Sequence, residues 1–224
     1  MTRNTTSRNA WLGMIAAVVT LFISAWQQEA RANGILETVT VDTSALPTSP
    51  ESEVVFYLID GSGTGDGNNT AMLTSFGFGG GSAGAVDSLN STGGFSGDMA
   101  SGVSITDSSF PNVLAQFFNA GSQISFVLNL STNVDAGPTP DQFGFAILDP
   151  SGNPIPTSDP TGDNNLMVIN VDSSSPTSVS YSDLVTVTPE GTAATPEPSS
   201  ALMLGAGMFV LVLLSRCRRS TKCE

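Results

Sequence analysis

The stretch QISFVLNL, residues 123–130, puts Ile124, Phe126, Leu128 and Leu130 on alternate positions. Successive side chains of a strand point to opposite faces, so this spacing predicts a strand with one buried face. QFGFAIL at 142–148 repeats the pattern with Phe143, Phe145 and Ile147. Outward from these two, Ile35 to Val41, Val54 to Ile59, Ala71 to Phe78, Val103 to Thr106, Leu166 to Val171 and Val179 to Val187 are short, β-branched or aromatic, and bounded by Gly, Pro, Asn and Asp. Each predicts a strand. NVLAQFFN at 112–119 reads equally as a short helix or a strand, and is too short to nucleate a helix alone. Many short strands with turn clusters between them and no helical crossover predict an all-β fold. The expected architecture is an antiparallel β-sandwich, jelly-roll-like ahead of immunoglobulin-like. Both Cys, 217 and 223, and both Trp, 11 and 26, fall outside this region, which argues against a true immunoglobulin domain.

Charge divides the chain as sharply as hydropathy does. All seven Lys and Arg residues lie at 3, 8, 31, 216, 218, 219 and 222, and there is no His. All but three of the 20 acids, Glu29, Glu197 and Glu224, lie between 33 and 195. That interior therefore has no basic side chain and no disulfide, and must be held by a core. Its length suits one domain, expected over residues 33–188. A Ser-His-Asp or Cys-His pair, a Lys Schiff base, a His/Cys zinc site and an Arg clamp on phosphate all lack their residues there. No nucleic acid is expected as a partner, because its binding rests on neutralising phosphates. The reading is of a protein without catalysis of its own.

The two ends carry the handling signals. Residues 1–32 read as a secretory signal peptide, with Arg3 and Arg8, an apolar stretch from Ala10 to Ala25, and Ala30-Arg31-Ala32 placing small residues for signal peptidase to cut before Asn33. A retained N-terminal anchor is the alternative. At the other end, 189–198 is a Pro/Thr-rich stalk that closes on Pro196, Glu197 and Pro198, where two prolines fix an extended backbone. Residues 199–215 follow as one transmembrane helix, whose apolar run from Ala201 to Leu214 is short but spans most of a hydrocarbon core roughly 30 Å thick. Arg216, Arg218, Arg219 and Lys222 in the tail, 216–224, hold that end in the cytoplasm and put the body outside.

Motif, span and basic cluster together resemble the PEP-CTERM sorting signal. The resemblance implies an exosortase-type membrane protease as partner, a transient inner-membrane anchor, and a final place at the cell surface or in the extracellular matrix, with extracellular polysaccharide a further candidate partner. A plain C-terminal anchor with a proline-containing stalk is the alternative. The interior is similar to a group of uncharacterised PEP-CTERM cargo ectodomains through ILETVTVDTSAL at 35–46, DGSGTGDGNNT at 60–70 and TNVDAGPTPDQFGFAILD at 132–149. That likeness implies one domain and no particular chemistry.

Two kinds of chemistry remain open to the interior. Asp60, Ser62, Thr64, Gly65, Asp66 and Asn68 follow EF-hand spacing, but Ala71 stands where the bidentate Glu belongs. A looser calcium site on Asp60, Asp66 and Asn68 is expected instead, against the plainer reading of these acids as a solvated surface. Calcium with Tyr57 or Tyr181 as a stacking platform would make a carbohydrate-binding module; two carboxylates in a cleft would make a glycoside hydrolase. The glycine-rich segments 61–69, 77–84 and 93–97 read as loops, and Asp149 to Pro154 as a turn.

Overall fold

The computed structural model describes residues 34–190. The expected signal peptide at 1–32, the expected cleavage site at Ala30, Ala32 and Asn33, the motif Pro196, Glu197 and Pro198, the expected membrane span and the basic tail lie outside the described residues. These are all-β, with no helix.

In chain order the strands are β1 (Gly34–Asp42), β2 (Ser52–Ile59), β3 (Thr70–Gly77), β4 (Ser82–Val86), β5 (Gly94–Asp98), β6 (Gly102–Thr106), β7 (Asn112–Asn119), β8 (Gln123–Ser131), β9 (Asp141–Leu148), β10 (Met167–Val171), β11 (Ser178–Ser180) and β12 (Val185–Pro189). They form two six-stranded antiparallel sheets, ordered β12-β1-β8-β3-β6-β5 and β11-β10-β9-β2-β7-β4. The pairings are nested: β1 lies beside β8 and β3 beside β6 in one sheet, with β2 beside β7 in the other.

The period-two stretches behave as their spacing demands. Ile124, Phe126, Leu128 and Leu130 point inward from β8, and Phe143, Phe145 and Ile147 from β9. Phe126 meets Phe56 at 5.3 Å and Phe145 at 5.7 Å between ring centroids, both edge to face. Burying each such side chain is worth about 1.5–3 kcal/mol, and the edge-to-face geometry adds to that. Residues 112–119 are a strand: Leu114, Gln116 and Phe118 are buried on alternate positions, and β2 pairs with residues 112–118.

Three expectations on local structure change. Residues 82–84 and 94–97, read as parts of glycine-rich loops, belong to strands β4 and β5, each at the edge of its sheet. An edge strand needs only one partner and a half-exposed face, so Gly and Ser suffice there. The stretch Val179 to Val187 is two strands, β11 and β12, in different sheets. Pro189 still belongs to β12, and the Glu190 amide donates to the Leu36 carbonyl at 2.9 Å, so regular pairing runs past residue 188.

Not every inward position is apolar. Glu37 follows the same face of β1 as Val39 and Val41 and is 7% exposed. Its Oε1 accepts from Ser178 Oγ at 3.2 Å, whereas Oε2 is buried without a partner. Burial pushes its carboxyl above the ordinary value, and the Ser178 bond offsets this only in part. A carboxyl raised on folding stabilises the fold while protonated; that contribution is full below the unfolded pKa and is lost as pH rises through the folded one. Glu37→Gln, which keeps the acceptor and cannot ionise, is expected to raise the stability of the full chain in detergent at pH 7 by about 1 kcal/mol, measured by urea unfolding. The gain should close as pH falls toward 4, and a parent that is the more stable at pH 7 would contradict this account.

Candidate functional site

The strand register creates the site. Ile59 pairs with Gln142, so the residues one step beyond, Asp60 after β2 and Asp141 at the start of β9, come face to face. Thr70 pairs with Thr106, which sets Asn69 opposite Asp107 in the same way. Asp60, Asn69 and Asp107 are 0% exposed and Asp141 is 2% exposed, so the segments that flank these strand ends close over a polar centre.

Asp60 is wrapped by the loop that follows it. Its Oδ1 accepts from Ser62 Oγ at 2.6 Å and the Gly63 amide at 2.9 Å, and its Oδ2 from the amides of Gly65 and Asp66. The wrapping needs left-handed backbone at Gly63 and Gly65, with φ of 70° and 68°. Gly61 meets a different demand: a Cβ there would lie 2.3 Å from the Pro140 carbonyl oxygen, so this loop rests directly on the segment before β9. The Gly61 amide donates to Asp141 Oδ1 at 2.8 Å.

Asn69 ties the remaining segments together. Its amide N–H bonds both oxygens of Asp107, at 3.1 and 3.0 Å. Its Nδ2 donates to the Asn133 carbonyl at 2.8 Å and to Asp141 Oδ2 at 2.7 Å, and its Oδ1 accepts from the Asn133 amide at 2.8 Å. Asn133 Nδ2 returns a bond to the Asn68 carbonyl at 2.7 Å. Each such bond is worth about 1 kcal/mol net, but a buried partner left without one costs about 1–3 kcal/mol, so the network fixes the loops as a unit.

Electrostatics at this end are severe because every charge has the same sign. Asp60, Asp135 and Asp141 each bring a carboxylate oxygen to within 4.8 Å of the others. Burial tends to raise Asp60, yet the bonds from Ser62, Gly65, Gly63 and Asp66 outweigh it and hold this carboxyl below its ordinary value. Burial, and then the facing Asp141 carboxyl, push Asp107 up to about 7. Asp135 is raised by burial and by the charges of Asp141, Asp66 and Asp60, against a bond from Asn68. Two oxygens stand out: Asp135 Oδ2 and Asn68 Oδ1 are buried and accept no hydrogen bond.

Of the residues expected to hold calcium, Asp60 and Asn68 are at this centre. Asn68 Nδ2 bridges Asp66 Oδ2 and Asp135 Oδ1. Asp66 is outside the group of three mutually close carboxylates, and Asp135 and Asp141 take places that spacing along the chain did not assign. Residues 60 and 141 meet only through the β2–β9 register, which no local pattern announces. The available hint was chemical: a domain without cations that nonetheless buries acids.

The two tyrosines separate. Tyr57 is half-buried on the outer face of its sheet, its hydroxyl so close over Gly144 that a Cβ there would lie 2.3 Å from it, and burial pushes the hydroxyl well above its ordinary value. Tyr181 lines an open groove of about 540 Å³ with Thr157, Ser158, Ser180, Ser182 and Asp183. No protein-family model, curated protein or solved structure matches the chain.

Proposed function

We propose that this chain is an exported protein of the cell surface or extracellular matrix, sorted by an exosortase-type system and without catalysis of its own. The observation that carries the reading is the C-terminal order of Pro196-Glu197-Pro198, the apolar run Ala201 to Leu214, and Arg216, Arg218, Arg219 and Lys222. The domain boundaries support it. Strand β1, the first described, pairs with β12, the last, so both ends of the described domain lie side by side in one sheet. A signal peptidase and an exosortase-type protease would thus act on segments flanking a closed sandwich. The nested pairs β1–β8, β2–β7 and β3–β6 support the finer reading of that sandwich as a jelly roll.

Changing Pro196, Glu197 and Pro198 together to Ala leaves the span and its basic flank intact, so insertion is nearly unaffected. In a strain that carries an exosortase, the parent is expected to lose its C-terminal segment and leave the inner membrane. The triple variant is expected to accumulate there at full length, followed by fractionation with an epitope at the exposed Asp172. Parent and variant fractionating alike would refute sorting in favour of a plain anchor.

A second reading, carbohydrate binding, has one observation in its favour: Tyr181 lies in an open groove lined by hydroxyls and Asp183. An aromatic face beside polar groups suits a sugar ring. Hydrolysis of a glycosidic bond takes two carboxyls across a cleft, and Asp183 is the one acid lining this groove. On a glycan array with and without calcium, binding that disappears in Tyr181→Ala would establish the module, and silence of the parent under both conditions would remove it.

A further inference from the structure

The carboxylate centre is the part of the molecule that sorting leaves unexplained. Its acids come from three segments distant in sequence, at 60–69, 107 and 133–141, joined by Asn69 and Asn133. Surface acids that only confer solubility do not gather under loops, and no basic side chain exists between residues 32 and 215 to face them.

The independent observation is the pair of orphan oxygens. Asp135 Oδ2 and Asn68 Oδ1 have neither solvent nor a donor. A buried acceptor without a donor costs about as much as several surface contacts return, and here both orphans adjoin the same group of acids. Something that offers positive charge to several oxygens at once satisfies both. A proton reaches one oxygen; a hard divalent cation reaches six to eight.

We propose that Asp60, Asp135 and Asp141, with the amide oxygen of Asn68, form a calcium site that locks the loop segments 60–69 and 133–141 over the end of the sandwich. The three carboxylate oxygens lie within 4.8 Å of one another, no more than the roughly 4.6–5.2 Å between oxygens on opposite sides of a calcium ion. Each oxygen of Asp141 accepts one bond, from Gly61 or Asn69, and keeps a second lone pair for the metal, whereas Asp60 Oδ2 holds the Asp66 amide only weakly, at 3.3 Å, and turns that lone pair to the metal. An irregular set drawn from separate loops suits calcium, which tolerates flexible coordination, better than magnesium, which demands near-octahedral geometry and gives up water reluctantly.

The test uses the full chain in detergent, stripped with chelator and then titrated with calcium or magnesium. Calcium at about 1 mM is expected to raise the melting temperature by about 5 °C or more, since an ion that binds only the folded state stabilises it by mass action. Equilibrium dialysis should find one calcium bound at this site, and magnesium at the same concentration should give a smaller shift. Asp135→Asn supplies the discriminating sign: in chelator it should melt no lower than the parent, because a negative charge has left the cluster, while its calcium shift should be lost. Asp172→Asn, on an exposed turn, should keep the full shift. Identical melting of the parent in calcium and in chelator, an undiminished calcium shift in Asp135→Asn, or an equal response to magnesium would each overturn the proposal.

Discussion

Burying negative charge with no positive partner is the constraint on which this structure turns. A carboxylate taken out of water loses hydration that only a cation, a proton or a dense set of donors replaces. Asp60 is served by donors, from three loop amides and Ser62. Asp107 is held toward its protonated form by burial and by the facing Asp141. Asp135 has one bond, from Asn68, and one oxygen with nothing. Three different answers to one problem occur within a single cluster, and the last of them is incomplete without a ligand.

The rest of the domain is arranged so that this cluster is possible. The phenylalanines Phe56, Phe126 and Phe145 lock the two sheets face to face, Phe56 stands opposite Phe145 in the register of β2 with β9, and buried Ala71 and Leu73 stand opposite Ile105 and Val103 in that of β3 with β6. Those registers carry Asp60 to Asp141 and Asn69 to Asp107. The glycines at 61, 63 and 65 then let the loop bend back and touch its neighbour. Packing in the core thus sets the electrostatics at its end, and a change in either is felt in the other.

Much of the architecture was legible because burial on one face of a strand writes itself into the sequence every second residue. Strands β8 and β9 were plain for that reason, and β7 is a strand because Leu114, Gln116 and Phe118 share that period. Strands β4 and β5 left no such mark: SAGAV and GFSGD are glycine-rich edge segments with little apolar content. The site was legible only in Asp60 and Asn68. Asp60 announced itself through the oxygen-rich loop after it, whereas Asp135 and Asp141 belong to a proline-containing stretch before β9 that carries no ligand spacing. Their role is a product of register, which single-residue patterns do not encode.

The proposed sorting signals at the ends and the proposed cation site in the body fit one circumstance, a protein exported into a medium where calcium is at hand and basic side chains are not needed. The most direct measurement is an experimental structure of the protein crystallised from millimolar calcium, inspected between Asp60, Asp135 and Asp141. The account predicts a density peak with oxygens about 2.3–2.6 Å away, Asp135 and Asn68 among them. Carboxyls closed on one another through short hydrogen bonds of about 2.5–2.7 Å, with no peak between them, would contradict it.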